Sequence, residues 1–381
     1  MKSVPGSYSD AVRTNLVHLR RAKGLSQKTL AARAGLARTA VGRIERGQAG
    51  PRGATLSRLA EALGVNVAHL AQPVRPLTAV RFRARKRLPG RAAMLDAVSR
   101  WLDDYAWLDR QPPPCPLLAD ADDFAAATPE EAAGRARTTM GLDSRSPVRD
   151  ICGLLEAGGI KVLVLQRQSD DFFGLSVGAA DGGPAVVVNA WERIAVERWI
   201  FSGAHELGHL LLHPAEFEVA QEDESREAER EADRFAGAFL MPEQSFSDAW
   251  RRSRGHDLVT RVLKLKRQFR VSYRTVLHRL VATQRASPRI WGRFQWDYRT
   301  RTGRTLKKAD EPHPLHRTEF AWNWRGSAEP AGLERYDFVE DRLARLVRTA
   351  LEEQRISLSR AAEILNVDLT EVRRRARAWA V

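Results

Sequence analysis

The chain has 381 residues, 43% of them hydrophobic and 29% charged, with a formal net charge of +15. That is an ordinary soluble composition, which argues against disorder over most of the chain, and the length suits two or three domains, each with its own core. No apolar run approaches the ~20 residues that span a bilayer, and the opening MKSVPGSYSD lacks a signal peptide's apolar segment, so a cytoplasmic protein without a membrane partner is expected. The two cysteines, Cys115 and Cys152, stand far apart, which argues against a disulfide framework or a thiolate metal site. Any metal would be held by nitrogen and oxygen.

The charge is local. Residues 1–90 hold 18 Lys/Arg against three acids, Asp10, Glu45 and Glu61, so they carry the whole excess and the remainder is neutral. A basic block beside a neutral remainder is the electrostatic footprint of nucleic-acid binding on one domain. Within that block, Val12, Leu16 and Leu19 recur at helical spacing before Gly24 interrupts. Ser26 offers an N-cap to a helix over about Ser26–Ala34, Gly35 makes a turn, and a further helix follows over about Arg38–Arg46, ended by Gly47. Helices over Thr55–Leu63 and Val67–Leu70 complete the pattern.

The run LSQKTLAARAGLARTAVGRIERG, followed by LSRLAEALGVNVAHL, resembles the lambda-repressor-like (XRE) helix-turn-helix family over about 60 residues. In such a module the second helix of the motif lies in the major groove. The resemblance implies Gln27 near a phosphate, Arg38, Thr39 and Arg43 on the reading face, and Arg46 on backbone phosphate. It implies Leu30, Ala34, Leu36, Val41 and Ile44 as core. The chain departs from the family at Ala37, where a Ser, Thr or Asn cap worth ~1 kcal/mol is usual.

Next comes a basic extended linker, Arg75–Arg87, and a long helix over Arg91–Leu108. A Pro- and Ala-rich stretch from Gln111 marks a boundary. Beyond it Ser146–Pro147 predict a helix start and Gly158–Gly159 a stop. Three short β-branched runs, IKVLVLQ, FFGLSVG and AVVVNA, read as strands.

The segment FSGAHELGHLLLHP places His205 and His209 four residues apart, on one face of a helix. Two imidazoles so placed can bind one zinc ion, while Glu206, one residue round, reaches a water at the metal rather than the metal itself. With nine histidines in the chain, an accidental H-E-x-x-H has odds of roughly one or two in a hundred. A third protein ligand is required, and the next helix offers Glu227, Glu229, Glu231 and Asp233. Glu229 and Asp233 share a face, so one can bind metal while the other orients a ligand imidazole. Glu231 should face elsewhere, and Phe235 and Phe239 mark the buried stripe. His213 lies too far along the axis to join the site and reads as a helix cap before Pro214.

With ERWIFSGAHELGHLLLH preceded by VVVNA and followed by EREADRFAGAFLMP, the chain resembles the ImmA/IrrE metallopeptidases over about Ser146–Ser245. The resemblance implies His205, His209 and Glu229 as metal ligands and Glu206 as general base, which leaves Asp233 to orient an imidazole. It implies Zn2+, with Mn2+ or Fe2+ able to use the same donors, and a job of cutting or disabling a repressor protein. The chain departs from the family at Ser202–Gly203, where bulkier residues are common. An oxyanion-stabilising group is not selected by spacing, although His256 and Tyr273 are candidates.

The C-terminal third carries basic helices, including one over Asp257–Phe269. Its aromatics, Trp291, Phe294, Trp296, Trp322 and Trp324, read as packing more readily than as a base-stacking surface. A helix-turn-helix-like tail, ISLSRAAEILNVDLTEVRRRARAW, closes the chain.

The expected fold is mainly α with one small α+β domain. The expected organisation is a DNA-binding module over 1–73, a connector over 74–145, an H-E-x-x-H domain over 146–245 and a helical region over 246–381. The expected function is a DNA-binding regulator with a zinc endopeptidase domain. Its partners would be a double-stranded operator and a protein substrate or partner regulator, and a homodimer is compatible. Two alternatives stand beside it: a non-catalytic sensor or dimerisation module, and an antitoxin-like autoregulator.

Overall fold

The structure, a computed structural model, describes residues 8–65, 67–73, 75–84, 90–119, 121–217, 225–307, 310–315 and 332–379. Trp322 and Trp324 lie outside the described residues, as does the end of the basic linker. The chain divides into two compact units, Met1–Leu77 with Leu88–Arg110 and Leu343–Val381, and Thr78–Arg87 with Gln111–Arg342. The fold is mainly helical with one small sheet, as expected. Among the described residues no helix is long and apolar enough to cross a membrane.

In the first unit, α1 (Tyr8–Ala22), α2 (Gln27–Arg33), α3 (Arg38–Glu45), α4 (Gly53–Leu63) and α5 (Val67–Ala71) surround a core of Val12, Leu16, Leu30, Val41, Ile44, Leu56 and Leu59. Ser26 caps α2 by accepting the Thr29 amide, whereas Ala37 gives α3 no side-chain cap. Gly35 turns between them at φ +61°, a left-handed conformation that costs glycine little. The long helix α6 (Arg91–Leu108) joins this unit. On it Arg100 donates to the buried Asn15, whose amide in turn holds the carbonyls of Leu70 and Gln72.

The second unit carries a four-stranded sheet, ordered β1 (Val80–Ala84), β3 (Phe172–Val177), β4 (Ala185–Asn189) and β2 (Lys161–Leu165). The β2–β4 pair is parallel and the other two are antiparallel. β2 to β4 are the three strands read from sequence. β1 corrects the sequence reading of residues 75–87 as an extended linker, because Val80–Ala84 pairs in register with β3. Short helices α7 (Pro116–Ala119) and α8 (Ala121–Ala125) precede α9 (Pro129–Thr139) and α10 (Ile151–Ala157). α10 begins later than Ser146–Pro147 predicts: Asp150 is its N-cap, accepting the Gly153 amide, while the Ser146 amide is held by Asp143.

Following β4 are α11 (Val196–Leu212) and α12 (Arg226–Leu240). α11 is buried on almost every side and lies between the sheet and α12, so its polar residues His205, Glu206 and His209 are enclosed. At the end of β4 the buried Asn189 amide donates to the carbonyls of Arg167 and Phe172 and fixes the loop that enters β3.

Helices α13 (Glu243–Arg252), α14 (Leu258–Phe269), α15 (Tyr273–Ala282) and α16 (Ile290–Thr302) extend the same core. The aromatics divide as packing residues: Phe294 stacks between Tyr273 and Tyr298 and Trp291 meets His278, while Trp296 is exposed. The tail forms α17 (Arg342–Glu352), α18 (Leu358–Ile364) and α19 (Leu369–Trp379), with Ser357 capping α18. It belongs to the first unit, where Arg360 pairs with Asp104 on α6.

Candidate metal centre and nucleic-acid interface

The centre depends on how closely α11 and α12 approach. Gly208 allows that approach, since a Cβ there would stand 3.0 Å from the Phe235 ring and 3.3 Å from the Ala232 Cα. Phe235 and Phe239 stack on one another beneath α12, fully buried, as the sequence stripe predicts. Glu229, six residues before Phe235 on the same helix, is thereby brought over the two histidines.

His205 Nε2 and His209 Nε2 stand 2.9 Å apart. Glu229 places one carboxylate oxygen 2.9 Å from His209 Nε2 and the other 3.3 Å from His205 Nε2. A tetrahedral ion at ~2.0–2.1 Å from each ligand separates its ligands by about 3.3 Å. The three donors therefore fit a single zinc-sized ion, and they form the His-His-Glu group able to hold one. The electrostatics agree with that fit. Burial raises the Glu229 carboxyl, but hydrogen bonds and charge from both imidazoles outweigh it and hold the group well below the usual carboxylate range. Burial, reinforced by His205, pushes His209 well down.

Each imidazole is oriented from behind. His205 Nδ1 lies 2.8 Å from Asp233 Oδ1, as the shared face of Glu229 and Asp233 anticipates. His209 Nδ1 lies 3.1 Å from His213 Nδ1, and His213 Nε2 lies 2.9 Å from Glu231 Oε2. Only one proton arrangement leaves His209 Nε2 facing the centre as a lone pair. His209 Nδ1–H donates to His213 Nδ1, and His213 Nε2–H donates to Glu231. The sequence reading makes His213 a helix cap and turns Glu231 elsewhere. His213 is the C-cap residue, yet its ring also links His209 to Glu231. The i, i+4 spacing of His209 and His213 was the available signal.

Glu206 is fully buried under β3. Ser176 Oγ donates to Glu206 Oε2 at 3.0 Å. Two residues earlier on the same face, Gly174 leaves room for the carboxylate, since a Cβ there would stand 2.9 Å from Glu206 Oε1. Directly across the ladder from Ser176 is Arg81 of β1. This arginine is 7% exposed, and its Nη2 lies 3.9 Å from Glu229 Oε1. Sequence reasoning missed Arg81. The alternation VRFRA, apolar and basic in turn, was a strand signal hidden inside a basic run. Of the other candidates, Tyr273 is buried and its hydroxyl accepts from Gln295, and His256 sits exposed beside Lys264.

In the first unit Arg38, Thr39, Arg43 and Arg46 are all exposed on or beside α3, while Val41 and Ile44 are buried beneath them. Arg46 is steadied by Gln48. Gln27 is tied inward, its amide donating to Glu45 at 2.7 Å, and the same carboxylate takes a two-nitrogen fork from Arg20. Burial raises Glu45, but hydrogen bonds from Arg20 and Gln27 outweigh it and keep the group ionised. That cluster joins α1, α2 and α3 directly behind the exposed face.

Two family matches fall on different parts of the chain. Residues 17–70 match a helix-turn-helix family, and residues 157–281 match the IrrE N-terminal-like domain family. Over 62 residues, 16% of this chain and 80% of the relative, it is 42% identical to an uncharacterized HTH-type transcriptional regulator, y4dJ, of Sinorhizobium fredii (strain NBRC 101917 / NGR234). The chain belongs to the XRE-type helix-turn-helix transcriptional regulators. It is a DNA-binding regulator that carries an ImmA/IrrE peptidase-like domain. In this regulator the matched IrrE-like segment includes β2, β3, β4, α11 and α12, but β1 and its Arg81 precede the match.

Proposed function

We propose that the regulator is a zinc-dependent endopeptidase that cleaves or inactivates a partner regulator protein, and that its DNA-binding module holds it at an operator. The observation that carries this reading is the convergence of His205, His209 and Glu229 beside a buried Glu206. These three residues would hold the ion. When bound, a divalent metal polarises a peptide carbonyl and makes a neighbouring water more acidic.

The chain's own residues supply the rest. Glu206 takes the proton from the attacking water and delivers it to the leaving amine. The Ser176 hydroxyl donates to one Glu206 oxygen and holds the carboxylate in place for that transfer. Asp233, and His213 with Glu231, keep the Nε2 atoms of both imidazoles turned inward. On the DNA side, Arg38, Thr39 and Arg43 read base edges and Arg46 holds phosphate, while Gln27, tied to Glu45, braces the motif from behind. Mn2+ or Fe2+ would serve the same donor set.

The full burial of Glu206 favours a second reading, a metal-binding sensor that cuts nothing. Glu206→Gln separates the two, since it removes the proton carrier and leaves the three donors in place. The purified regulator, incubated with proteins encoded by neighbouring genes, should cleave one of them, and the variant should keep its metal and lose cleavage. Unchanged regulation in cells carrying Glu206→Gln would sink the proteolytic reading.

A further inference from the structure

A peptide to be cut must bring its carbonyl between Glu206 and the three metal donors. An extended segment is held at such a site most economically by pairing with a sheet edge, where its backbone hydrogen bonds are all satisfied. The strand that faces the centre is β3, since Gly174 and Ser176 lie against Glu206. One side of β3 is taken by β4. The other side is the edge along which a substrate would lie.

That edge is occupied by this chain's own β1. Val80, Arg81, Phe82 and Arg83 pair antiparallel with Val177, Ser176, Leu175 and Gly174. Arg81, opposite Ser176, falls on the face that looks toward Glu206 and comes within ion-pair distance of Glu229. His205, Glu206 and His209 are all fully buried beneath this arrangement. We propose that β1 is an intramolecular occupant of the substrate edge, and that the centre stays closed until β1 leaves β3. The inference rests on the peptidase reading and adds its regulation.

The attachment of β1 suits a strand that comes and goes. It is an outer strand with a single neighbour, and its register with β3 breaks between Arg83 and Ala84. Its entry is held by Asp181, whose carboxylate accepts the backbone amides of Thr78 and Ala79 at 2.5 and 2.6 Å, and by the Gly178 amide, which donates to the Ala79 carbonyl. Only eight residues, 72–79, separate β1 from α5 of the DNA-binding module. A change in that module's state therefore has a short covalent path to the strand that covers the centre.

The test uses the full-length chain loaded with Co2+ and challenged with EDTA, with hydrogen exchange of the β3 amides read in parallel. Asp181→Ala loosens the strand. It should speed cobalt loss and β3 exchange at least tenfold and raise cleavage of the partner. Val80→Cys with Val177→Cys staples the strand through a cross-strand pair on the sheet face away from Glu206. Oxidised, it should slow both readouts and abolish cleavage, and reductant should restore them. Exchange and metal release unaltered by either change would overturn the proposal, as would cleavage by the stapled form. So would unfolding of the whole unit in Asp181→Ala, which would make β1 an integral strand. If no form cuts any protein while the staple still slows metal release, proteolysis falls and the covering strand stands.

Discussion

Helix α3 of the DNA-binding module and helix α11 of the peptidase-like domain both carry polar residues four apart, and they treat water in opposite ways. Thr39 and Arg43 are exposed, with nothing pairing them among the described residues. His205 and His209 are fully buried, and each ring nitrogen meets another polar atom. An exposed cation costs little to keep and contributes only when phosphate or a base edge arrives. A buried imidazole is tolerable only while its partners are present, so losing one partner disturbs the rest. Substitutions on α11 and α12 should therefore act together, and those on α3 should act singly.

The largest effect is expected at Glu229. Structural zinc sites of four ligands are worth about 10–16 kcal/mol, so removing one ligand should weaken binding by roughly two orders of magnitude or more. Competition with a chromophoric chelator measures this for Glu229→Ala, and an unchanged affinity would remove Glu229 from the ligand set. Next come His213→Ala and Glu231→Gln, which leave every direct ligand in place. Loss of an orienting partner typically costs about 10–100-fold in metal affinity. If His213 were only a helix cap, metal affinity would not move. The two substitutions combined should cost little more than either alone, because they break one chain of hydrogen bonds.

Arg38→Ala and Arg43→Ala test the contrasting region. Each should weaken operator binding by about 1–3 kcal/mol and relax sequence preference, because a guanidinium that reads a base edge is gone, whereas Arg46→Ala should weaken all DNA alike and flatten the salt dependence. A gel-shift series over several salt concentrations distinguishes the two patterns. Near-additive losses from Arg38 and Arg43, beside the non-additive pair on the metal side, would complete the comparison.

The two regions also differ in how openly the sequence declares them. The limits of α2 and α3 are legible to within a residue, because Ser26, Gly35 and Gly47 punctuate short apolar repeats, whereas α4 starts at Gly53, two residues before the expected Thr55. The pairing of His205 with His209 follows from the helical period alone. What escapes are features made by long-range pairing. β1 is set by hydrogen bonds to a strand about ninety residues away, and its side of the sheet is known only from register. The His213–Glu231 contact joins two helices whose relative rotation depends on the fit between Gly208 and Phe235. The start of α10 is ambiguous in sequence because Asp150 and Ser146 both suit a cap, and Asp143 holds the Ser146 amide.

Two glycines on α11 give the smallest and most discriminating test. At Gly208 a Cβ would come within 3.0 Å of Phe235 and 3.3 Å of the Ala232 backbone. Gly208→Ala should therefore separate α11 from α12 at a cost of about 1–3 kcal/mol, only partly offset by better helix propensity. It should also lower metal affinity by moving Glu229. At Gly203 a Cβ would meet Ile151 at 3.5 Å and Phe338 at 3.8 Å, ordinary contact distances. Gly203→Ala should therefore stabilise the domain by up to ~1 kcal/mol and leave metal affinity unchanged. Thermal and chelator measurements on the pair read both effects. A destabilised Gly203→Ala would mean that the space beside Ile151 and Phe338 is tighter than these distances require.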